Sequence, residues 1–475
     1  MVIIYLLGSV AVVLTLFFSR NKQFVYSLLG LFLVWQGWFT FQACNHYGAT
    51  DSVYFTFDSL GILLLITLSI ISIPAAIHSY IYIENHYEPP RSRSIYLASL
   101  ILLIMAISAG YLSNHIAVTW IFTEITTLSA SALIYHHRNK LALEGTWKYV
   151  FICAISITFI FIGILFLSLS LQHTGSDNLS FSNLLARSGE LNSTWLQMAF
   201  LFIFTGFTAK LGLVPMFTAG IDAKDTAPAP AGALLASVLM NLGFVGIFRF
   251  YIVIANTPLL HWARLVVGIA AFLSLFVATV YMMKVKNIKR MFAYSGIEHM
   301  GIVMLGVAAG GIGYYAAILH IILHAFVKSS LFFQYNQLYR VFQNKSITHI
   351  GNYFKYNPTG AMVLLLGFIS SAAMPPSGLF VSEFLIFKSM FDAKQILLLI
   401  VVLLLLTMII WAFGKNIFKV LFVPAEGFDD SNVARTSPWE SVSQFLLLAT
   451  AVYLGLNPPP IFVQLIKDSI TLLPQ

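Results

Sequence analysis

The chain has 475 residues (52.8 kDa), 59% apolar and only 9% charged, with a mean hydropathy of +0.86 and a net charge of +8. A water-soluble globule carries about 25% charged residues, so this composition excludes a soluble fold and leaves little chain for a soluble catalytic domain. The basic residues sit in short loops between apolar runs, which excludes nucleic acid as a partner and leaves lipid as the surrounding medium.

Fourteen apolar runs approach the about 20 residues that a bilayer requires: 2–19, 24–44, 59–82, 95–112, 115–135, 147–172, 195–216, 229–255, 261–283, 290–310, 312–339, 360–391, 395–413 and 440–457. The expected fold is therefore an all-α integral membrane protein with about 14 transmembrane helices. The first run lacks a basic flank and a small-residue cleavage site, and is read as a span rather than a signal peptide. Cys44 and Cys153 fall in or beside spans, so neither a disulfide framework nor a thiolate metal site is expected. Loops after odd-numbered spans hold seventeen Lys and Arg, among them Arg20, Arg91, Lys224, Lys289 and Arg435, against four (Arg187, Arg264, Lys394 and Lys467) after even-numbered spans. The positive-inside rule then places the odd loops in the cytoplasm and both termini on the outer side, in the inner membrane of a prokaryote.

Spans 4–8 and 9–13 form two blocks of five, and an odd number of helices per block forces the second to be inverted. The expected organisation is 1–94, a three-helix segment; 95–255, the first five-helix repeat; 261–413, the inverted second repeat; and 414–475, a cytoplasmic loop, span 14 and a tail. The polar stretch 426–435 is expected to meet a partner or water.

Two spans contain helix breakers beside a lone charge. Span 7 runs into Thr205-Gly206-Phe207-Thr208-Ala209-Lys210-Leu211-Gly212-Leu213-Val214-Pro215, and span 12 into Ala372-Ala373-Met374-Pro375-Pro376-Ser377-Gly378 with Glu383 beyond; Pro215 and Pro375 are 160 residues apart. Broken helices at corresponding positions of two repeats mark an ion path. Lone charges in hydrocarbon are costly enough to be functional by default.

The other ionisable groups within spans are few. Glu124 in span 5 needs a cation or takes up a proton, and Lys210 is its natural partner; movement between them would load or release a proton, whereas a static pair would only hold two helices together. His320, His324 and Lys328 recur every four residues, one stripe covering about 12 Å of depth. Such a stripe suits a proton wire, because imidazole exchanges protons near neutral pH; the bland alternative is two core histidines bonded to carbonyls. Glu298 and His299 open span 10 as an intake group or as an interfacial pair. Lys388 follows Glu383 by five residues, about 140° round the helix. Lys148 with Glu144 reads as a surface pair, and Arg249 as a snorkelling residue. Asp222 and Asp225 lie in the loop after span 7, where Asp225 and Thr226 are expected to cap span 8. No dinucleotide fingerprint, P-loop, cysteine cluster or H-E-x-x-H motif is present, so the chain is expected to hold no cofactor or metal and to catalyse nothing alone.

Three motifs carry a family resemblance: Trp120-Ile121-Phe122-Thr123-Glu124; the stretch from Ala209-Lys210-Leu211-Gly212 through Asp222-Ala223 to Ala227-Pro228; and Leu379-Phe380-Val381-Ser382-Glu383-Phe384-Leu385. Ile288-Lys289-Arg290-Met291 and His324-Ala325-Phe326-Val327-Lys328 also fit. The chain resembles the antiporter-like proton-translocating subunits of the respiratory complex I superfamily over spans 4–13. Leu143-Glu144-Gly145-Thr146-Trp147-Lys148-Tyr149 and Ile297-Glu298-His299-Met300 are most similar to subunits of group-four membrane hydrogenases and formate hydrogenlyase.

The resemblance implies fourteen helices in two inverted repeats. It also implies Glu124 and Lys210 as paired motor residues, Glu383 as the terminal exchanger, and other membrane subunits with a peripheral cytoplasmic redox module as partners. In two places the chain departs from the family. Asn241 stands where the family often has a span-8 lysine, and Phe217 and Lys224 stand in the loop where the family has a histidine. An amide orders water but holds no proton at neutral pH, so the link between the repeats is interrupted at Asn241 or runs through water or the histidine stripe. The expected function is proton translocation in a redox-driven assembly of the complex I or membrane-hydrogenase kind. A subunit of a cation/proton antiporter or bicarbonate-accumulating complex, and a non-conducting scaffold, are the alternatives.

Overall fold

The computed structural model describes residues 1–172, 175–428, 433–434 and 436–474. Of the polar stretch 426–435, residues Asp429, Asp430, Ser431, Asn432 and Arg435 lie outside the described residues. The rest is almost entirely helical: α1 (Val2–Phe18), α2 (Lys22–Asn45), α3 (Ser59–Asn85), α4 (Pro90–Leu112), α5 (Ile116–Ile134), α6 (Lys140–Leu171), α7 (Phe181–Ala186), α8 (Ser193–Leu211), α9 (Thr218–Thr226), α10 (Ala229–Ala236), α11 (Val238–Ala255), α12 (Leu260–Lys284), α13 (Ile288–Ala309), α14 (Ile312–Phe342), α15 (Tyr353–Tyr356), α16 (Pro358–Ser371), α17 (Gly378–Asp392), α18 (Ile396–Phe422), α19 (Val442–Leu456) and α20 (Pro460–Asp468). A two-residue hairpin, Thr50–Asp51 against Phe55–Thr56, is the one sheet among the described residues.

Among the described residues twelve helices, with α10 and α11 taken together, are long and apolar enough to cross a bilayer. The count of fourteen expected from the runs is not reached on this measure. Helix α1 has 17 residues, and the run 360–391 is divided into α16 and α17 of 14 and 15 residues. Loop contacts nevertheless segregate into two ends. At one, Asn114 N–H donates to Tyr54 O (2.7 Å), Arg249 pairs with Asp58 (2.7 Å), the N-terminal amine meets Asp51 (2.8 Å) and Tyr47 donates to Asp468 (2.8 Å). At the other, Lys22 pairs with Glu84 (2.6 Å), His136 with Glu88 (3.0 Å), Lys345 with Asp225 (3.3 Å), and Arg93 donates to Arg20 O (3.0 Å). Both termini thus share one end, which requires an even number of crossings.

Helices α13 and α14 are buried along their whole apolar length, and α10–α11 nearly so, while α2 and α18 are mostly exposed. On α18 the side chains of Leu397, Leu404, Trp411, Phe418 and Phe422 point outward, at the spacing of one helical face. Lipid is as apolar as these side chains, so association of the helices rests on close packing and polar contacts. The α6–α8 crossing is the most extensive. A Cβ at Gly206 of α8 would lie 2.5 Å from Ser156 O of α6, so only glycine allows this approach.

Three expectations change. The run 229–255 is interrupted at Ser237, between α10 and α11; its hydroxyl accepts from Ser329 (3.0 Å). Arg249 does not snorkel: it is buried and donates to Asp58 (2.7 Å), Tyr111 O (2.7 Å) and Ser113 O, because a guanidinium in hydrocarbon needs a carboxylate and acceptors. Asp225 and Thr226 do not cap the next helix. They belong to α9, Pro228 precedes α10 without a side-chain cap, and Thr226 donates to Asp222 O (2.7 Å).

Candidate functional site

Helix α8 stops because Gly212 takes a left-handed conformation (φ 87°), which side chains with a Cβ adopt at a cost. The chain then crosses to α9, and the freed Val214 N–H donates to Ser274 Oγ of α12 (2.9 Å). Lys210 lies in the last turn of α8, where the negative helix end favours a cation. It is 5% exposed. Its Nζ donates to Thr127 Oγ1 (2.8 Å) and Tyr149 OH (3.0 Å) and lies 5.2 Å from the Tyr149 ring centre.

Thr127 is three residues beyond Glu124 on α5. Glu124 itself is half-buried and within electrostatic reach of Lys210. Among the described residues it makes no ion pair within 4.0 Å and no hydrogen bond, and its Oε2 is buried without a partner. The motor pair implied by the resemblance is therefore adjacent but open, with two hydroxyls holding the ammonium.

The second break is built similarly. Helix α16 ends at Ser371, Ala373 turns through φ 46°, and Ser377 caps α17 by accepting from Phe380 N–H (3.2 Å). Around it α13, α14, α16 and α17 converge on one buried polar file. Lys328 Nζ donates to Ser295 Oγ (2.6 Å) and Ser371 Oγ (3.0 Å). The Ser371 hydroxyl also meets His299 Nε2 (3.2 Å), His299 Nδ1 meets His320 Nε2 (3.1 Å), and His320 Nδ1 meets Ser382 Oγ (3.0 Å). Glu383 Oε1 lies 3.7 Å from His299 Nδ1, and Ser295 Oγ lies 3.4 Å from Glu298 Oε2. Glu298 and His299 are thus inside the file, not at the interface. His320 and Lys328 join through His299 and Ser371 rather than along their own helix. His324 lies beside them, its ring 5.1 Å from His299, with both ring nitrogens unpartnered. Donor atoms of His299, His320 and Glu383 all lie within 4.8 Å of one another, so among the described residues these three could hold a cation.

Other expected residues fall elsewhere. Lys388 is exposed and outside the file. Lys148 is exposed and pairs with Glu144 (2.6 Å) and Asp222 (3.6 Å). Asp222 also pairs with Arg290. Asp225 is shared by Arg290 (3.0 Å) and Lys345 (3.3 Å), with Asn287 donating (3.0 Å). These residues form an ionic lattice at the basic end. Asn241 is fully buried with both amide atoms unpartnered.

Sequence reasoning missed the hydroxyls of Thr127, Ser295, Ser371 and Ser382, which carry no signal in a helix rich in small residues. It gave Tyr149 no place in the site and read Lys224 as a loop residue. Lys224 is buried, its Nζ against Met240 Sδ (3.2 Å). Two cavities flank the files. One of about 230 Å³ at the basic end is lined by His86, His137, Lys289 and Lys345, and one of about 700 Å³ at the other end by Arg264, Ser389 and Asp392.

Residues 113–409 match the family described as NADH:quinone oxidoreductase/Mrp antiporter, TM. The hydrogenase-4 component F homolog of Methylacidiphilum infernorum (isolate V4) is 29% identical over 430 residues, covering 88% of this chain and 89% of that protein. Two solved structures share the fold. A chain of the membrane-bound sulfane sulfur reductase, an archaeal respiratory membrane complex, aligns with TM-score 0.86 at 18% identity over 99% of this chain and 97% of that one. A chain of the Mrp complex from Dietzia sp. DQ12-45-1b aligns with TM-score 0.84 at 15% identity over 99% and 96%. The chain belongs to the NADH:quinone oxidoreductase/Mrp antiporter family and is an antiporter-like membrane subunit of the complex I and membrane-hydrogenase kind.

Proposed function

We propose that this subunit carries protons across the inner membrane of a prokaryote, driven by a redox partner bound at its basic, cytoplasmic end. The reading rests on one observation: a buried hydrogen-bonded file runs from Lys328 through Ser371, His299 and His320 to Ser382, with Glu383 at its side. Every member donates and accepts or titrates, so a proton can pass along it without crossing hydrocarbon. Lys210 is the switch. While Thr127 and Tyr149 hold its ammonium, Glu124 is free; closing the Glu124 pair shifts the proton affinity of both groups. A swing of about two pKa units, about 2.7 kcal/mol, exceeds the about 2.3 kcal/mol that one charge costs against 100 mV. Glu383 then releases toward the cavity lined by Ser389 and Asp392 of its own helix. Both termini face the outer side, other membrane subunits and lipid surround the chain, and no cofactor resides in it. The likeness to the hydrogenase-4 component favours a hydrogenase-type redox module.

The test is the purified native complex, sealed in liposomes and turned over with the electron donor of the module that copurifies. Lys210→Ala lowers proton uptake to the level left by other subunits while the complex still assembles; undiminished uptake would make the chain a scaffold. A second reading, exchange of a metal cation for protons, draws on the His299, His320 and Glu383 donor set. Uptake that depends on sodium would favour it.

A further inference from the structure

Among the described residues no hydrogen bond joins the two polar clusters, and Asn241, buried on α11 with both amide atoms unpartnered, is an amide that cannot hold a proton. Another buried group without an adequate partner lies between the clusters. Helix α9 folds back from the first break and inserts Lys224, 3% exposed, between α8, α11 and α13. Its Nζ meets only Met240 Sδ among the described residues (3.2 Å), and a thioether is a weak acceptor. Nothing anionic neutralises it, although an unpaired buried charge is costly.

Its surroundings open both ways. Toward the first break, Lys224, Lys210, Tyr149 and Gly220 line one cavity of about 10 Å³, the space of about one water molecule. Toward the second, Lys224 is within electrostatic reach of His324, whose ring nitrogens are both unpartnered. Gly296 of α13 presents no side chain there; a Cβ at that position would stand 3.9 Å from Nζ. Two buried polar residues without adequate partners, Lys224 and His324, thus lie between Lys210 and Lys328.

We propose that Lys224 is the titratable link between the two half-paths. It accepts a proton by way of the Lys210 cavity and passes it, past the water-ordering amide of Asn241, to His324 and Lys328. A lysine delivered from α9 then does what the amide at 241 cannot. This inference rests on the proton-path reading above.

The same reconstituted complex tests it, with protons taken up per electron as the readout and Lys210→Ala as the control. Lys224→Met should lower the ratio as far as Lys210→Ala does, with assembly and electron transfer retained. Lys224→Arg keeps charge and bulk but cannot release a proton, and should fail equally; it carries the test if the methionine variant does not assemble. Adding Asn241→Lys to Lys224→Met should restore the ratio. Normal uptake by Lys224→Met or Lys224→Arg, or no recovery with Asn241→Lys, overturns the link. If Lys210→Ala also pumps normally, the proton-path reading itself has failed. Loss at Lys210 with normal uptake at Lys224 refutes the link alone.

Discussion

Ser371 bonds two groups at once, the Lys328 ammonium and His299 Nε2. Removing its hydroxyl leaves one buried partner short on each side, at a cost of about 1–3 kcal/mol. Ser371→Ala should therefore lower thermal stability in detergent and slow proton uptake together, whereas the same change at exposed Ser27 should do neither. Ser371 could not be read from the sequence, because a serine beside a helix break has many bland uses. The histidines and lysines could, because charge and imidazole are rare in hydrocarbon and their spacing is visible. Lys224 was hidden for the opposite reason. It stands between Asp222 and Asp225, in a stretch polar enough to read as solvated loop, and only the return of α9 into the core buries it. Outside the membrane, Glu88 gives a pH signature. Its burial alone would raise its pKa, but the hydrogen bond from His136 and the nearby imidazoles outweigh that and hold it below the ordinary 4.5. A depressed carboxylate stabilises above its unfolded pKa and loses that contribution as pH falls through the folded value. Wild type and Glu88→Gln should differ in melting temperature at pH 7, and the difference should shrink as pH falls below 4.5.

At the scale of helices, the two breaks were legible because Gly, Pro and a lone charge coincide at each. Their consequence is positional: one ends α8 with Lys210 in its last turn, the other ends α16 at Ser371 and starts α17 just before Ser382 and Glu383. The split at Ser237 was not legible, since 229–255 is apolar apart from Ser237, Asn241 and Arg249 and a serine is compatible with helix. Arg249 was misjudged because its acceptors, Asp58, Tyr111 and Ser113, are distant in sequence and meet it only in the fold. The α6–α8 crossing sets the distance between Tyr149 and Lys210. Gly206→Val places a side chain against Ser156 O and should separate these helices. Overpacking of this kind costs about 1–3 kcal/mol, and it should reduce proton uptake although position 206 carries no titratable group. Uptake unchanged alongside reduced stability would show that the Lys210–Tyr149 contact is dispensable.

Across the whole molecule, the fully buried α13 and α14 carry most of the second file, while α18 and α2, among the least buried of the long helices, carry none of it. The odd and even loops gather at opposite ends, as the charge count implied, although Lys224 and Lys289, counted there as loop charges, are buried. The file is buried inside a shell of apolar helices. The most direct measurement of this account is the number of protons moved per electron by the reconstituted complex carrying Lys328→Met. The substitution keeps the length of the side chain and removes the donor that joins Ser295 and Ser371. We expect electron transfer to continue with the proton ratio reduced to the level left by other subunits; an unchanged ratio would contradict the buried file as the route.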